Sequence, residues 1–275
     1  MGRRKSFAKF QGSKPHNLIN VFVGTSMLWV GWFGFNGGSA IASSPRAALA
    51  AFVTVIAAAT GALTWVLWDF LLTKKWSLEK FCAGAVAGLV IITPGSGFVQ
   101  PWAALVMTLI GIVGVRLCHR MKYHLGFDDT LDAFGIHGVG GVVGSILTGV
   151  FADSRVGAFD NSDVRGGWYS QYITQVGYQI AGTVAIAAYS FILSACLLLI
   201  IDKIPGLQLR STEFEEVSGL DHIQIGEEAF LMENVAPSNF TGNAKGPSMT
   251  SMTTGNSNET AVPEMSEKEI VIAPL

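Results

Sequence analysis

Six apolar runs, each close to the length needed to cross a bilayer, leave this chain few folds to choose from. A helix needs about 20 residues to span a hydrocarbon core of roughly 30 Å. The windows 18–39, 45–72, 78–98, 101–118, 131–151 and 172–204 meet or approach that length, the fourth short and the sixth long. In lipid every backbone N–H and C=O must be satisfied within the chain, so such runs are expected to be helices. The expected fold class is an all-α membrane protein with about six transmembrane helices. Composition agrees: 50% of the 275 residues are hydrophobic and 14% are charged, against about 25% charged in a soluble domain. The first run is followed by further spans rather than a cleavage site, so it does not read as a signal peptide.

Lysine and arginine set the orientation. With the N-terminus placed in the cytosol, 13 of them up to Arg210 fall in the inside segments and three (Arg46, Arg155 and Arg165) in the outside loops. Positive charge gathers on the cytosolic side, so both termini are expected there. The expected organisation is a basic cytosolic segment over 1–17, a membrane domain over 18–204, a cytosolic regulatory-type tail over 205–232, and a tail over 233–275. That last stretch is rich in Ser, Thr, Asn, Gly and Pro and is expected to be disordered. The net charge of −2 and the absence of a basic patch interleaved with aromatics give no sign of nucleic-acid binding. Cys82, Cys118 and Cys196 are scattered singly in apolar runs and read as small packing residues, not as ligands or disulfides.

Two stretches stand out. From Trp29 to Ile41 the chain reads WVGWFGFNGGSAI, aromatics thinning into small residues without a charge. Membrane-interface aromatics and close helix packing would account for it; so would a small polar species approaching the helix there. The second is FDDTLDAFGIHGVGGVVGSILTGVFA, with one histidine, His137, among apolar and small residues. Asp128, Asp129 and Asp132 suit the positive end of a helix that starts near Thr130. Gly138, Gly140, Gly141 and Gly144 admit either a close helix neighbour or a narrow passage. Intramembrane ionisable groups are candidates for function. The residues one turn from His137 are Ala133, Phe134, Gly140 and Gly141, none a metal ligand. A packing histidine, a proton relay and a pore-lining group remain open.

Lesser candidates read as structural. Asp69 is expected to be a solvated interface group near Lys74 and Lys75. The stretch TPGSGFVQP is expected to be a tight extracellular turn, although a re-entrant feature fits it too. The spacing of Gly95 and Gly97 lacks the strand–turn–helix setting of a nucleotide loop. His16, His119, His124 and His222 are expected to be solvated. No nucleophile–histidine–acid arrangement is recognisable.

GWFGFNGGSA followed about a hundred residues later by DDTLDAFGIHGVGGVVGSILTGVFA resembles the ammonium transporter family (the Amt/Mep/Rh superfamily), in its fungal members especially. The tail stretch EFEEVSGLDHIQIGEEAF resembles the family's regulatory region, with Ile225 where many members carry a histidine. The resemblance implies recruitment of ammonium at an outer vestibule and passage through a hydrophobic pore, with no cofactor, no metal and no enzymatic activity. It implies Phe35 as a gate, Ser39 as a recruiting residue, Leu28 and Trp32 as pore lining, and His137 as the second of two central histidines. Selection of ammonium suits cation–π faces at a mouth. A dry pore penalises ions that cannot shed their charge, and imidazole is a suitable proton partner. It further implies a plasma-membrane trimer, either of this chain alone or with full-length relatives.

The resemblance covers only the second of two inverted repeats plus the final helix of an eleven-span protein. The first histidine, the partner phenylalanine, the vestibule tryptophan and a structural acid of the fifth span have no counterpart here. Residues 1–17 resemble the loop between repeats, with Met1 as an internal start, and the chain is expected to be a truncated form that is inactive alone. A non-transporting regulatory subunit and a six-span membrane enzyme using His137 are the other readings.

Overall fold

In the computed structural model, which describes residues 15–125 and 128–227, helices form wherever the apolar runs lie, and no strand occurs among these residues. The six long helical segments are α1 (Leu18–Gly38), α2 (Pro45–Thr73), α3 (Leu78–Ile92), α4 (Pro101–Leu125), α5 (Gly140–Phe151) and α6 (Thr174–Ile201). A π-helical turn over Phe134–Val139 leads into α5, and a short helix α7 (Glu213–Ser218) follows α6. Six stretches are long and apolar enough to cross a membrane: α1, α2, α6, α3 with the turn after it (Leu78–Gly95), Pro101–Lys122 of α4, and the π-helical turn with α5 (Phe134–Phe151). The segment 1–14 and the tail from 228 onward lie outside the described residues, so the expectations for most of 1–17 and for 233–275 are not addressed.

Polar residues between the runs start the helices. Asn17 accepts from the Asn20 N–H at 3.0 Å, Ser44 from Ala47 at 3.2 Å and Ser77 from Lys80 at 3.3 Å. Each satisfies one of the donors that a first turn leaves open. Pro45 and Pro101 stand at the first helical position, where no N–H is needed. Lys74 closes α2 in the left-handed region, φ 57°, with its N–H on the Phe70 carbonyl at 2.8 Å.

Glycine sets the helix spacing. A Cβ on Gly61 would meet the Gly84 carbonyl oxygen at 2.3 Å, and one on Gly88 would meet that of Ala57 at 2.2 Å. Small residues four apart on both α2 and α3 thus let the two backbones touch, the usual device for helix pairs in lipid. On the other side of α3, Ile91 fills the space left by Gly111 of α4 and Gly144 of α5. Two apolar clusters result. One is built around Val53, Ala57, Ile92, Val99 and Met107, the other around Trp65, Ile91, Ile112, Val115 and Ile136.

Several expectations change at the boundaries. The fourth span does not stop at Cys118; α4 continues to Leu125, and Arg116 finds partners within the bundle. Its Nη1 reaches the Asp69 carboxylate at 2.5 Å, and its guanidinium lies over the rings of Trp65 and Trp68 at 5.6 and 5.1 Å. Asp69 is therefore a partly buried ion-pair member, not a solvated group. The stretch 93–100 is folded into the bundle and opens on a 3-10 turn, Thr93–Gly95: Gly95, Ser96 and Val99 are buried, and Gly95 lies against Thr148. It is more enclosed than a solvated turn. The loop end of the bundle is tied by Arg46 to Asp160, and by buried Asp153, which accepts from Arg155 and, at 3.4 Å, from Gln100. The last helix spans Thr174–Ile201 rather than 172–204, because Tyr172 and Ile173 form the turn before it. It has no buried residue and touches α5 chiefly where Gly149 meets Val176.

Candidate pore wall

The approach to His137 begins on α4. Asp132 adopts φ 54°, which keeps residues 131–132 out of the helix. Its carboxylate pairs with Lys122 and lies 3.0 Å from His119 Nδ1, while Lys122 Nζ also donates to the Asp129 carbonyl at 2.8 Å. Burial pushes the Asp132 carboxyl up, but the bonds from His119 and Lys122 outweigh it and hold it below its ordinary 3.8. Asp132 thus bridges to α4 instead of serving the helix dipole, and His119 is a partnered rather than a solvated group; His16 and His124 are exposed as expected. The cap is Asp129, not Thr130: its two carboxylate oxygens accept from the N–H groups of Ala133 and Phe134 at 2.9 and 3.0 Å.

The helix therefore begins at Phe134, and His137 is its fourth residue. Its depth is set by α4, since Gly135 faces Cys118 and Gly140 faces Val115. His137 stands between those levels, only a few residues from the middle of the 25-residue α4. The turn around it is π-helical, a form rare in helices and frequent at functional sites. Ile136 is buried in the second cluster, whereas His137 is exposed, and no polar partner for its ring occurs among the described residues. The nearby glycines divide by role. Gly140 and Gly144 accept α3 closely, while Gly141 has nothing within 4 Å.

On α1, Met27, Leu28, Gly31, Trp32 and Phe35 line one apolar groove of about 420 Å³. Phe35 is 60% exposed and Leu28 49%. Trp32 meets Phe35 edge-on, with centroids 5.8 Å apart at 70°, and donates its indole N–H to the Thr93 hydroxyl at 2.7 Å. Trp32 also packs on the cluster that holds Ile136, which links the groove to the turn carrying His137. Ser39 caps α1, exposed, its hydroxyl turned back onto the Phe35 carbonyl at 2.8 Å. The structure thus brings Leu28, Trp32 and Phe35 together. Ser39 lies one turn beyond them, and His137 stands on a neighbouring element outside the groove lining. Two residues escaped the sequence reading. Thr93 is the indole acceptor, and Asn36 is 2% exposed and donates to Thr54 at 2.8 Å. The polarity of Asn36 inside an apolar run was the available signal. Thr93 gave none, standing in what read as a loop. Among the described residues no group of His, Cys, Asp and Glu could hold a metal.

Six apolar spanning helices with an open, apolar-lined face make this a polytopic helical membrane protein. A sequence model of the Ammonium Transporter Family matches residues 1–230, and the chain belongs to that family. It is 48% identical over 223 residues to Ammonium transporter 1 of Schizosaccharomyces pombe, covering 80% of this chain and 45% of that relative. It is 40% identical over 234 residues to the Ammonium transporter of Bacillus subtilis, covering 84% and 55%. Both carry the names of transporters rather than of enzymes. The crystal structure of Saccharomyces cerevisiae Mep2 superposes with a TM-score of 0.69 and 43% identity, over 72% of this chain and 45% of that one. The chain spans about half the length of the relatives it matches.

Proposed function

We propose that this chain forms one wall of an ammonium/ammonia conduit, completed by a second helical layer. Ammonium is recruited near Ser39, passes Phe35, moves along the apolar lining of Leu28 and Trp32, and reaches His137, whose imidazole exchanges a proton with it. The observation that carries this reading is the exposure of His137. An ionisable ring on an apolar helix, near mid-depth and without a partner among the described residues, is costly against lipid. A water- or substrate-bearing passage along that face would supply its polar contacts. The edge-on pair of Trp32 and Phe35 offers ring faces to a cation, worth roughly 0.5–2 kcal/mol depending on desolvation, and the groove beside it disfavours an ion that stays charged. The working assembly is read as a trimer in the plasma membrane, of this chain alone or with full-length relatives.

Uptake of radiolabelled methylammonium into liposomes tests the reading. The chain is reconstituted alone and together with the N-terminal five-span half of a relative. Saturable uptake in either preparation, lost in His137→Ala, is the expected result. Absence of uptake from both preparations would reject transport and favour a non-transporting subunit.

A further inference from the structure

We infer that Thr93 is a positioning residue for the groove: its hydroxyl captures the Trp32 indole N–H and so keeps that donor out of the passage. The inference deepens the transport reading and rests on it. Trp32 Nε1 lies 2.7 Å from Thr93 Oγ1, and Thr93 Oγ1 lies 2.7 Å from the Leu89 carbonyl oxygen. The direction of each bond follows from chemistry. An indole nitrogen can only donate, whereas a hydroxyl carries one proton and two lone pairs. The hydroxyl proton goes to Leu89, and a lone pair is left for Trp32. The chain is thus Trp32 N–H to Thr93 O–H to Leu89 C=O, each link used once.

The site of the acceptor is well held. Thr93 opens the 3-10 turn that ends α3, and its own N–H is taken by the Val90 carbonyl. Two residues on, Gly95 is wedged against Thr148, Met107 and Val99. Trp32 in turn sets Phe35, since the two rings meet edge-on. A fixed acceptor on α3 therefore fixes the indole, and the indole orients its neighbour one turn along α1.

The consequence concerns what a travelling molecule meets. With its N–H anchored, Trp32 presents only carbon to the groove that it shares with Met27, Leu28 and Phe35. Freed, the same N–H would offer a hydrogen bond to water or to the lone pair of ammonia, holding a passing molecule where the lining is otherwise apolar. Thr93 so acts on passage without touching the substrate.

The test uses the full 275-residue chain, in lipid nanodiscs for spectra and, for flux, in liposomes alone and together with the N-terminal five-span half of a relative. Thr93→Val removes the hydroxyl at nearly constant shape, and Thr93→Ser keeps it. Ultraviolet resonance Raman spectra should report loss of one indole hydrogen bond in Thr93→Val but not in Thr93→Ser, and no such difference in a Trp32→Phe background. Methylammonium flux should fall about fivefold or more in Thr93→Val, a factor of the size one hydrogen bond can set, and recover in Thr93→Ser. Water permeation should rise in the valine variant alone, which a loss of folded protein would not produce. Equal Raman spectra for Thr93→Val and unmodified chain overturn the anchor, and equal flux from the valine and serine variants overturns its role in passage. Absence of flux from unmodified protein in both preparations rejects the transport reading instead, and the Raman comparison then decides the anchor.

Discussion

Arg116 and Asp69 meet at 2.5 Å from different helices, each side chain about 15% exposed, with the faces of Trp65 and Trp68 closing over the guanidinium. Removing one member leaves a charge stranded, which typically costs about 3–5 kcal/mol, whereas replacing both by apolar groups is often neutral. Asp69→Asn should destabilise the chain by that order in thermal unfolding in detergent, and Asp69→Leu with Arg116→Met should restore much of it. Arg116→Lys should behave as a loss, because an ammonium cannot spread over two rings as a planar guanidinium does.

Gly88 offers a test of packing. A methyl there would overlap backbone, the Ala57 carbonyl oxygen, and backbone cannot swing aside. Gly88→Ala should cost about 1–3 kcal/mol. Gly34→Ala, with nothing within 4 Å, should be neutral or slightly stabilising through helix propensity. Thermal unfolding of the two variants side by side decides it.

His137→Ala should separate function from stability. The ring has no partner among the described residues, so the unfolding free energy of the chain should stay within about 0.5 kcal/mol of unmodified protein. Methylammonium flux should nonetheless be abolished or lose its discrimination against potassium. Ser39→Ala should mainly weaken half-saturation. A His137→Ala assembly with full flux and intact potassium exclusion would remove the role given to this histidine.

Acid should loosen the approach to His137. The folded Asp132 carboxyl lies below its ordinary 3.8, so its contribution is present above 3.8 and is lost as pH falls through the lower, folded value. The Ile136 N–H bonds to the Asp132 carbonyl at 2.8 Å, and its hydrogen-exchange protection, corrected for intrinsic rate, should drop only beneath pH 3.8. Asp132→Asn should show the same drop at neutral pH.

Orientation is testable by glycosylation. Tags at Asn161 and near Asn256 should be modified only at the former if the charge distribution, 13 inside against three outside, governs insertion. Modification at the tail would reverse the assignment.

The six spans were legible because hydropathy alone dictates helices in lipid. What hydropathy misread were polar groups whose partners are remote in sequence. Arg116 looked like the end of a span because nothing near it in the chain predicts Asp69, 47 residues earlier. Asp132 looked like a dipole partner because its positive φ has no signature in an aspartate. At the groove, motif resemblance pointed to Leu28, Trp32 and Phe35, which the fold gathers together. Thr93 stayed hidden, since a threonine before a proline reads as punctuation until a helix is laid beside it.

The π-helical turn over Phe134–Val139 has a genetic consequence. A turn of this kind carries one residue more than an α-helical turn in its place. Deleting a single residue between 134 and 139 should let the segment relax into regular helix in the space it now occupies, leaving α5 in its present phase. Gly144 should then keep its place against Ile91, whereas the same deletion early in α5 would rotate it away by roughly 100°, the angle per residue of an α-helix. This short stretch should therefore tolerate the loss of one residue better than α5 itself, and an in-frame codon deletion early in 140–151 should be the more damaging lesion to the gene.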